Sequence, residues 1–418
     1  MSLAETSERE IIIIGAGVVG LATALRLAAS GRNVAILDPH EPGSGASYGN
    51  AGTIANYAVM PVGTPSVLKN LPRLLFDRDS PLSVRHAAIP ALMPWLLRFA
   101  WQSLPGNAAR NAAVIAALLA DSLSAWRDLA TEIGAEDLLR QNGCLYLYDD
   151  PASLAYAADD MAVRKRFGIA QETLSPEDVH RLEPALPPFE GGGVFFPDAV
   201  NLTDPAAMMR RLTEAVKAAG VEIIRTEATA ITRETGGVHV SCADGRRRRA
   251  RSVVVAAGAY SRRFAAQAGD PVPLDTERGY HVEYDMETPP LSRPVCPTAR
   301  GFYLVPMAGR LRVAGTVELG GLAAPLNPRR IALLERGAKA VFPDLGKPDR
   351  QWLGFRPSMP DSIPVIGASK QGNDVIYAFG HGHLGLTLAP VTANLVERIL
   401  AGQNPSGPQA GISPCRFH

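Results

Sequence analysis

The 418-residue chain is poor in the features that mark several large protein classes. Its four cysteines, Cys144, Cys242, Cys296 and Cys415, are scattered without metal-site spacing. They read as reduced thiols of a cytosolic protein and offer no disulfide framework. No His/Cys/carboxylate cluster suggests a bound metal. No run reaches the roughly 18 apolar residues that a membrane span needs. The first ten residues are polar and charged and lack the apolar core of a secretory signal. Net charge is +1, so no global field recruits nucleic acid. The basic run Arg246 to Arg249, with Arg251, follows Asp244-Gly245 between two β-rich stretches and reads as a solvated hairpin tip. Internal repeats and low-complexity segments are missing too. What is left is 46% hydrophobic and 20% charged, the balance of a globular enzyme long enough for two domains.

The most informative segment is IIIIGAGVVGLATALRLAASGRNVAILD, residues 11–38. Four isoleucines make a buried strand, Gly15, Gly17 and Gly20 form a GxGxxG turn, an Ala/Leu-rich helix follows, and a second β-branched run ends at Asp38. This is the order of a dinucleotide-gripping βαβ unit. Gly15 allows the tight turn, Gly17 leaves room for a pyrophosphate, and Gly20 lets the helix pack against its strand. The helix N-terminus offers N–H groups and partial positive charge to the phosphates. Asp38 stands where a carboxylate takes the ribose hydroxyls, which favours FAD or NAD over NADP.

Further along, Gly43 to Ala55 is too rich in glycine and serine for regular structure and suits backbone contact with a ligand. Ile89 to Trp101 is apolar with one Arg98, and a long helical pattern spans 108–133. Residues 142–200 read as alternating short strands and turns. A helix from Pro205, with Asp204 as N-cap, precedes β-rich segments and the buried strand Val253 to Val255, which ends in the small turn Ala256-Ala257-Gly258. Residues 275–317 alternate with period two and predict an antiparallel sheet covered by a helix near 328–342. The rear of the chain carries WLGFRPSMPDSIPVIG, then a strand, the turn His381 to Gly385, and a helix from about Thr387 to Leu400. Ligand-type segments thus lie at both ends of the chain, as one wrapped FAD requires and a nicotinamide dehydrogenase does not.

On these motifs the chain resembles the FAD-dependent D-amino-acid oxidase family, and within it the bacterial D-amino-acid dehydrogenases. The resemblance rests on the GxGxxG with Asp38, the loop Ala46 to Gly52, the VAAGAYS turn, the GFRPSMPDSIPVIG segment and GHGHLGLTLAP, and covers nearly the whole chain. It implies an α/β fold: a doubly wound, Rossmann-like FAD-binding domain (8–57, 188–268 and 351–418) interleaved with an α+β substrate domain on a mixed or antiparallel sheet (58–187 and 269–350). It implies flavin contacts by Ala46, Ser47, Asn50, Ala51 and Gly52, mainly through backbone, by Ala257 and Gly258, and by Gly382, His383, Leu384, Gly385 and Thr387 at the pyrimidine end. It implies that Arg356 of the Gly-Phe-Arg-Pro motif holds the substrate carboxylate. Cysteine-linked flavins occur among cousins, but Cys296 sits in PVCPT, away from any such motif, so the FAD is expected to be non-covalent.

The residue chemistry agrees with that role. A guanidinium fork binds both carboxylate oxygens and aims the Cα–H bond at flavin N5 for hydride transfer. Donors at the helix beginning near Thr387 would stabilise charge on the reduced ring. No acid or base is required if the substrate binds as the free amine. His381 or His383 could hydrogen-bond substrate or flavin. Tyr280 and Tyr303, on the period-two strands, could join Arg356 at the carboxylate or simply pack in the core. The expected reaction is oxidative deamination of D-amino or cyclic imino acids, with electrons passed to a quinone or electron-transfer protein. The competing readings are an oxygen-using glycine, sarcosine or D-amino-acid oxidase, a non-catalytic FAD-binding subunit, and an NAD-dependent dehydrogenase. The Ile89 to Trp101 segment could rest on the inner face of the cell membrane.

Overall fold

The computed structural model describes residues 9–76 and 80–417; the expected outer limits of the cofactor domain, 8 and 418, and most of the polar opening decapeptide lie outside them. In chain order, the elements that build the site begin with β1 (Arg9–Ile14), α1 (Val18–Ala29), β2 (Val34–Asp38) and α2 (Ile89–Gln102). They continue with β3 (Arg247–Val255), β4 (Asp275–Asp285), β5 (Phe302–Met307) and β6 (Arg310–Leu319). The last are α3 (Pro328–Val341), β7 (Arg350–Ser358), β8 (Gly372–Phe379) and α4 (Gly385–Leu400).

Ile11 to Ile14 are all buried because β1 is central, parallel to β2 on one side and β3 on the other. The parallel order continues to Glu222–Arg225 beyond β2 and to β8 beyond β3. A hairpin of β3 with Gly237–Cys242 turns at Asp244-Gly245, where the Arg248 guanidinium closes onto Asp244 at 2.8 Å. α1 and α4 pack against each other on one face of this eight-stranded sheet, in an apolar core that includes Leu21, Leu25, Leu388 and Val396.

The second sheet has nine strands. β4 is its hub, antiparallel to β6 and to β7. Tyr280, Val282 and Tyr284 of β4 point to one side and pack with Ile331 and Leu334 of α3. The opposite side carries Glu277, Gly279, His281 and Glu283, because side chains alternate along a strand. Only the second set faces the cofactor loops, as the contacts below show.

Several sequence expectations need correction. The pattern over 108–133 is two helices, Pro105–Leu119 and Ser122–Glu132. The Ser122 hydroxyl donates to the Leu119 carbonyl at 2.7 Å and so takes an acceptor at the end of the first helix. The 142–200 region holds three short helices, Pro151–Tyr156, Ala158–Arg166 and Pro176–Leu182, besides its strands. Asp150 caps the first, and Ser175 with Asp178 forms a capping box on the third. Two segments assigned above to the cofactor domain, Gly193–Phe196 and β7, are strands of the nine-stranded sheet. β7 is therefore the crossing point: it carries Arg356 in one sheet, and the chain then passes through Val365–Ser369 and β8 of the other sheet before the turn and α4.

Candidate active site

The glycine turn between β1 and α1 is shaped by contact. Gly15 has φ +112°, and a Cβ there would lie 2.4 Å from the Ala256 carbonyl oxygen. A Cβ on Gly20 would lie 1.9 Å from the Gly15 carbonyl oxygen, so only glycine lets α1 sit this close. Gly17 is the N-cap of α1 and supplies no side-chain cap. Instead, the Val18 N–H donates to the Ser47 hydroxyl at 2.8 Å, which brings the loop 46–52 against the helix end. Asp38 accepts from the Ala16 and His40 N–H groups, each at 2.8 Å, and is fixed at the mouth of the turn.

The loop itself is held from two sides. Asn50 braces it internally, donating to the Ser47 carbonyl and accepting from the Gly52 N–H, both at 2.7 Å. From the nine-stranded sheet, Arg312 donates to the carbonyls of Tyr48 at 2.8 Å and Asn50 at 2.6 Å. His281 Nδ1 donates to the Gly49 carbonyl at 3.0 Å. Burial and the nearby Arg312 charge push the His281 pKa down to about 3, so its ring is neutral. Glu283 is buried among Arg310, Arg312 and Arg350; burial would raise its pKa, but the Arg312 charge and the arginine hydrogen bonds hold it at about 2. Trp352 stacks on His281 at 5.0 Å, in a slot left by Gly49 and Gly354. Ala46 is exposed and Ala51 half-buried, so neither side chain obstructs the loop.

At the rear, Gly382 (φ +53°) and Gly385 flank the short turn before α4. No side chain caps α4, while Leu384 is buried beneath the turn. The Thr387 hydroxyl accepts from the Ala55 N–H at 3.0 Å and links α4 to the front loop. Gly258 follows Ala257 with φ +53°, and a Cβ there would meet nothing within 4 Å. Two helix ends without caps of their own, a fixed carboxylate at the first turn and open space beside Gly258 form a cradle that fits a dinucleotide flavin.

Arg356 lies on the side of β7 from which Trp352 meets the 46–52 loop, directly opposite Glu277 of β4. Its guanidinium covers Gly279, where a Cβ would come within 2.4 Å of Cζ, and donates to the Thr316 carbonyl at 3.1 Å. Burial lowers its pKa, and the Glu277 charge opposes that shift. His383 reaches across from the turn before α4, with Nε2 2.7 Å from Glu277. Arg356 and His383 are thus brought to one place around a carboxylate that the sequence reading did not single out. Burial would raise the Glu277 pKa, but His383 and Arg356 outweigh it and hold it below the usual carboxylate range. The period-two pattern around Glu277 was visible; its cross-strand partner depended on register.

The tyrosines part company. Tyr280 points to the far side of β4, where its hydroxyl donates to Glu318 at 2.5 Å beside Arg278. Odd and even positions of the strand separate it from Arg356, so of its two readings, a place beside Arg356 and core packing, the structure has the second, under α3. Tyr303 lies on the Arg356 side of the sheet, paired with Tyr146 through their hydroxyls at 2.7 Å. Tyr57 and Phe196 complete this aromatic wall. Tyr57 and Tyr146 were not foreseen, since their strand and loop are remote in sequence. His381 is buried and hydrogen-bonded to Thr392 at 2.9 Å, whereas His383 is the histidine of this turn that reaches Glu277. Cys296 is buried beside Tyr303, and burial raises its thiol pKa.

A family model described as DAO, FAD dependent oxidoreductase, matches residues 10–399. The chain belongs to this family. It is therefore an FAD-dependent oxidoreductase, and the cradle described above is the place its residues offer to that cofactor. It is 35% identical to a D-amino-acid oxidase of Bradyrhizobium diazoefficiens, over 98% of this chain and 99% of the relative. It is 31% identical to a D-amino acid dehydrogenase of Dechloromonas aromatica, over 94% and 97% of the two chains. The fold is shared with the crystal structure of glycine oxidase from Geobacillus kaustophilus, at TM-score 0.76 and 23% identity over 98% of each chain. It is shared equally with L-proline dehydrogenase from P. horikoshii, at TM-score 0.75 and 19% identity over 98% of each chain.

Proposed function

We propose that this protein oxidises D-amino acids, or cyclic D-imino acids, to 2-oxo acids and ammonia or to imines, passing the electrons to a quinone or electron-transfer protein. The observation that carries the reading is Arg356: a half-buried guanidinium on the side of β7 that faces Glu277, reached by the turn that leads into α4. The names of the Bradyrhizobium and Dechloromonas relatives support a D-amino acid as substrate. Arg356 binds and orients the carboxylate, with Tyr303 and Tyr146 walling the chamber. His383 fixes Glu277 beside it. FAD, held non-covalently, supplies the two-electron acceptor for the hydride leaving Cα. Gly15, Gly17, Gly20 and Asp38 take its ADP half, and Ala46 to Gly52, Ala257, Gly258, Gly382 to Gly385 and Thr387 surround the flavin half. Residues 8–57 with the central and C-terminal βα segments form the cofactor unit in this reading. The intervening segments and β7 form the substrate unit.

The test is anaerobic bleaching of the yellow protein by a panel of D- and L-amino acids, sarcosine and cyclic imino acids. Bleaching by D-amino acids supports the reading, and bleaching by none of them overturns it. Oxygen as acceptor is the second reading, favoured by the name of the Bradyrhizobium relative. Comparing oxygen uptake with dye reduction separates the two.

The protein is proposed to work in the cytoplasm, peripherally on the membrane. Among the described residues, no helix is long and apolar enough to cross a bilayer. α2, however, exposes Met93 (44%), Leu97 (65%) and Trp101 (64%) in steps of four residues, one helical stripe. Co-sedimentation with vesicles of bacterial lipid tests this, and a protein that stays wholly in the supernatant excludes it.

A further inference from the structure

We infer that Glu277 makes the site a reader of zwitterions: it receives the substrate's α-ammonium on binding while Arg356 receives the carboxylate, and the ammonium gives one proton to water before hydride leaves Cα. The inference rests on the substrate reading above and deepens it. Glu277 is 5% exposed and lies opposite Arg356 on adjacent antiparallel strands, the arrangement in which Cβ atoms stand about 5 Å apart. Its fixed partner is His383, whose Nε2 is 2.7 Å from one carboxylate oxygen. That contact anchors the carboxylate at the turn before α4, on the same side of β4 as the flavin-facing loop contacts of His281.

For a ligand that is only an anion, this carboxylate is a defect. It repels an incoming carboxylate, and its own burial is costly. For an amino acid the same charge is complementary. The ammonium and carboxylate of the substrate are separated by one carbon, and the protein offers one anion and one cation on facing residues. Two opposed charges also fix direction, since exchanging the two substrate groups would set like against like. A hydroxy acid of identical shape brings the carboxylate but no cation, so Glu277 discriminates amine from hydroxyl.

Glu277→Gln in the FAD-loaded protein tests this with ligand pairs that differ only in the amine: D-alanine against propionate, and D-phenylalanine against 3-phenylpropionate. Binding is read from the perturbation of the flavin visible band, and bleaching is followed separately. The expected result is opposite signs: the amino acids bind about 30-fold more weakly, the scale of a lost charged hydrogen bond, and the amine-free acids bind at least as well as before. Glu277→Asp, which keeps the charge but withdraws it, moves both in the same senses by less. Equal weakening of both ligand classes would reduce Glu277 to a structural prop and overturn the inference, and so would no change in either. Failure of the wild-type flavin to bleach with any amino acid overturns the catalytic reading alone, because the binding comparison is still read.

Discussion

Replacing Arg356 by alanine removes a guanidinium that covers Gly279 and faces Glu277 across two strands. If it holds a substrate carboxylate through both fork nitrogens, two charge-assisted hydrogen bonds are lost, each of about 1.5–3 kcal/mol. At about 1.4 kcal/mol per tenfold, the smaller sum already predicts at least about a 100-fold rise in the substrate concentration needed for half-maximal reduction. The larger sum is an upper bound, because water refills the space. FAD should stay bound, since no cradle residue depends on Arg356, whose guanidinium donates to the Thr316 carbonyl. Arg356→Lys keeps the charge without the planar fork and should recover part of the loss. The assay is anaerobic bleaching against substrate concentration, with the flavin spectrum recorded first to establish occupancy. Near-wild-type half-saturation in an Arg356→Ala protein with full flavin would remove this residue from substrate binding and refute the reasoning.

Other expectations follow from the same geometry. Gly20→Ala places a methyl 1.9 Å from a backbone oxygen that cannot rotate away, and should cost about 3 kcal/mol or more by urea denaturation, with loss of flavin; a stable, yellow variant would contradict this. Arg312→Met frees the carbonyls of Tyr48 and Asn50 and should weaken FAD retention at least about tenfold, measured by flavin release on dilution. His281 and His381 are held by burial at about 3 and about 4, so the unfolded chain binds protons that the fold excludes and stability rises with pH. That stability is complete above about pH 6.5 and falls toward pH 4 by about 1.4 kcal/mol per pH unit for each ring. Urea midpoints between pH 4.5 and 7 should show this slope, and His381→Asn should flatten it; a flat wild-type curve would count against both assignments.

What was legible in the sequence was local. The βαβ unit, its glycines and Asp38 follow from strand and helix periods, and Arg356 and His383 follow from motifs. The tyrosine question was not local. Tyr280 and Glu277 are three residues apart on one strand, and which of them faces Arg356 depends on the register of β4 against β7. That register is set by packing against α3, which takes Tyr280, Val282 and Tyr284 inward. The aromatic cluster joins Tyr57, Tyr146 and Tyr303 from three distant segments, and no short-range pattern announces such a meeting. The break before Ser122 and the capped helices at Asp150 and Ser175 are different: their capping residues were present and readable.

The grip of Arg312 and His281 on three consecutive carbonyls, 48 to 50, has a consequence for the protein without its cofactor. On the proposed reading, the segment that must yield for FAD to enter or leave is tied to β4 and β6, the floor of the substrate site. Passage of FAD therefore opens a seam between the two sheets, and amide exchange should quicken along β4 and β6 whenever the loop is released. Substrate seated on that floor would then slow the escape of flavin, so that each occupant guards the other's residence.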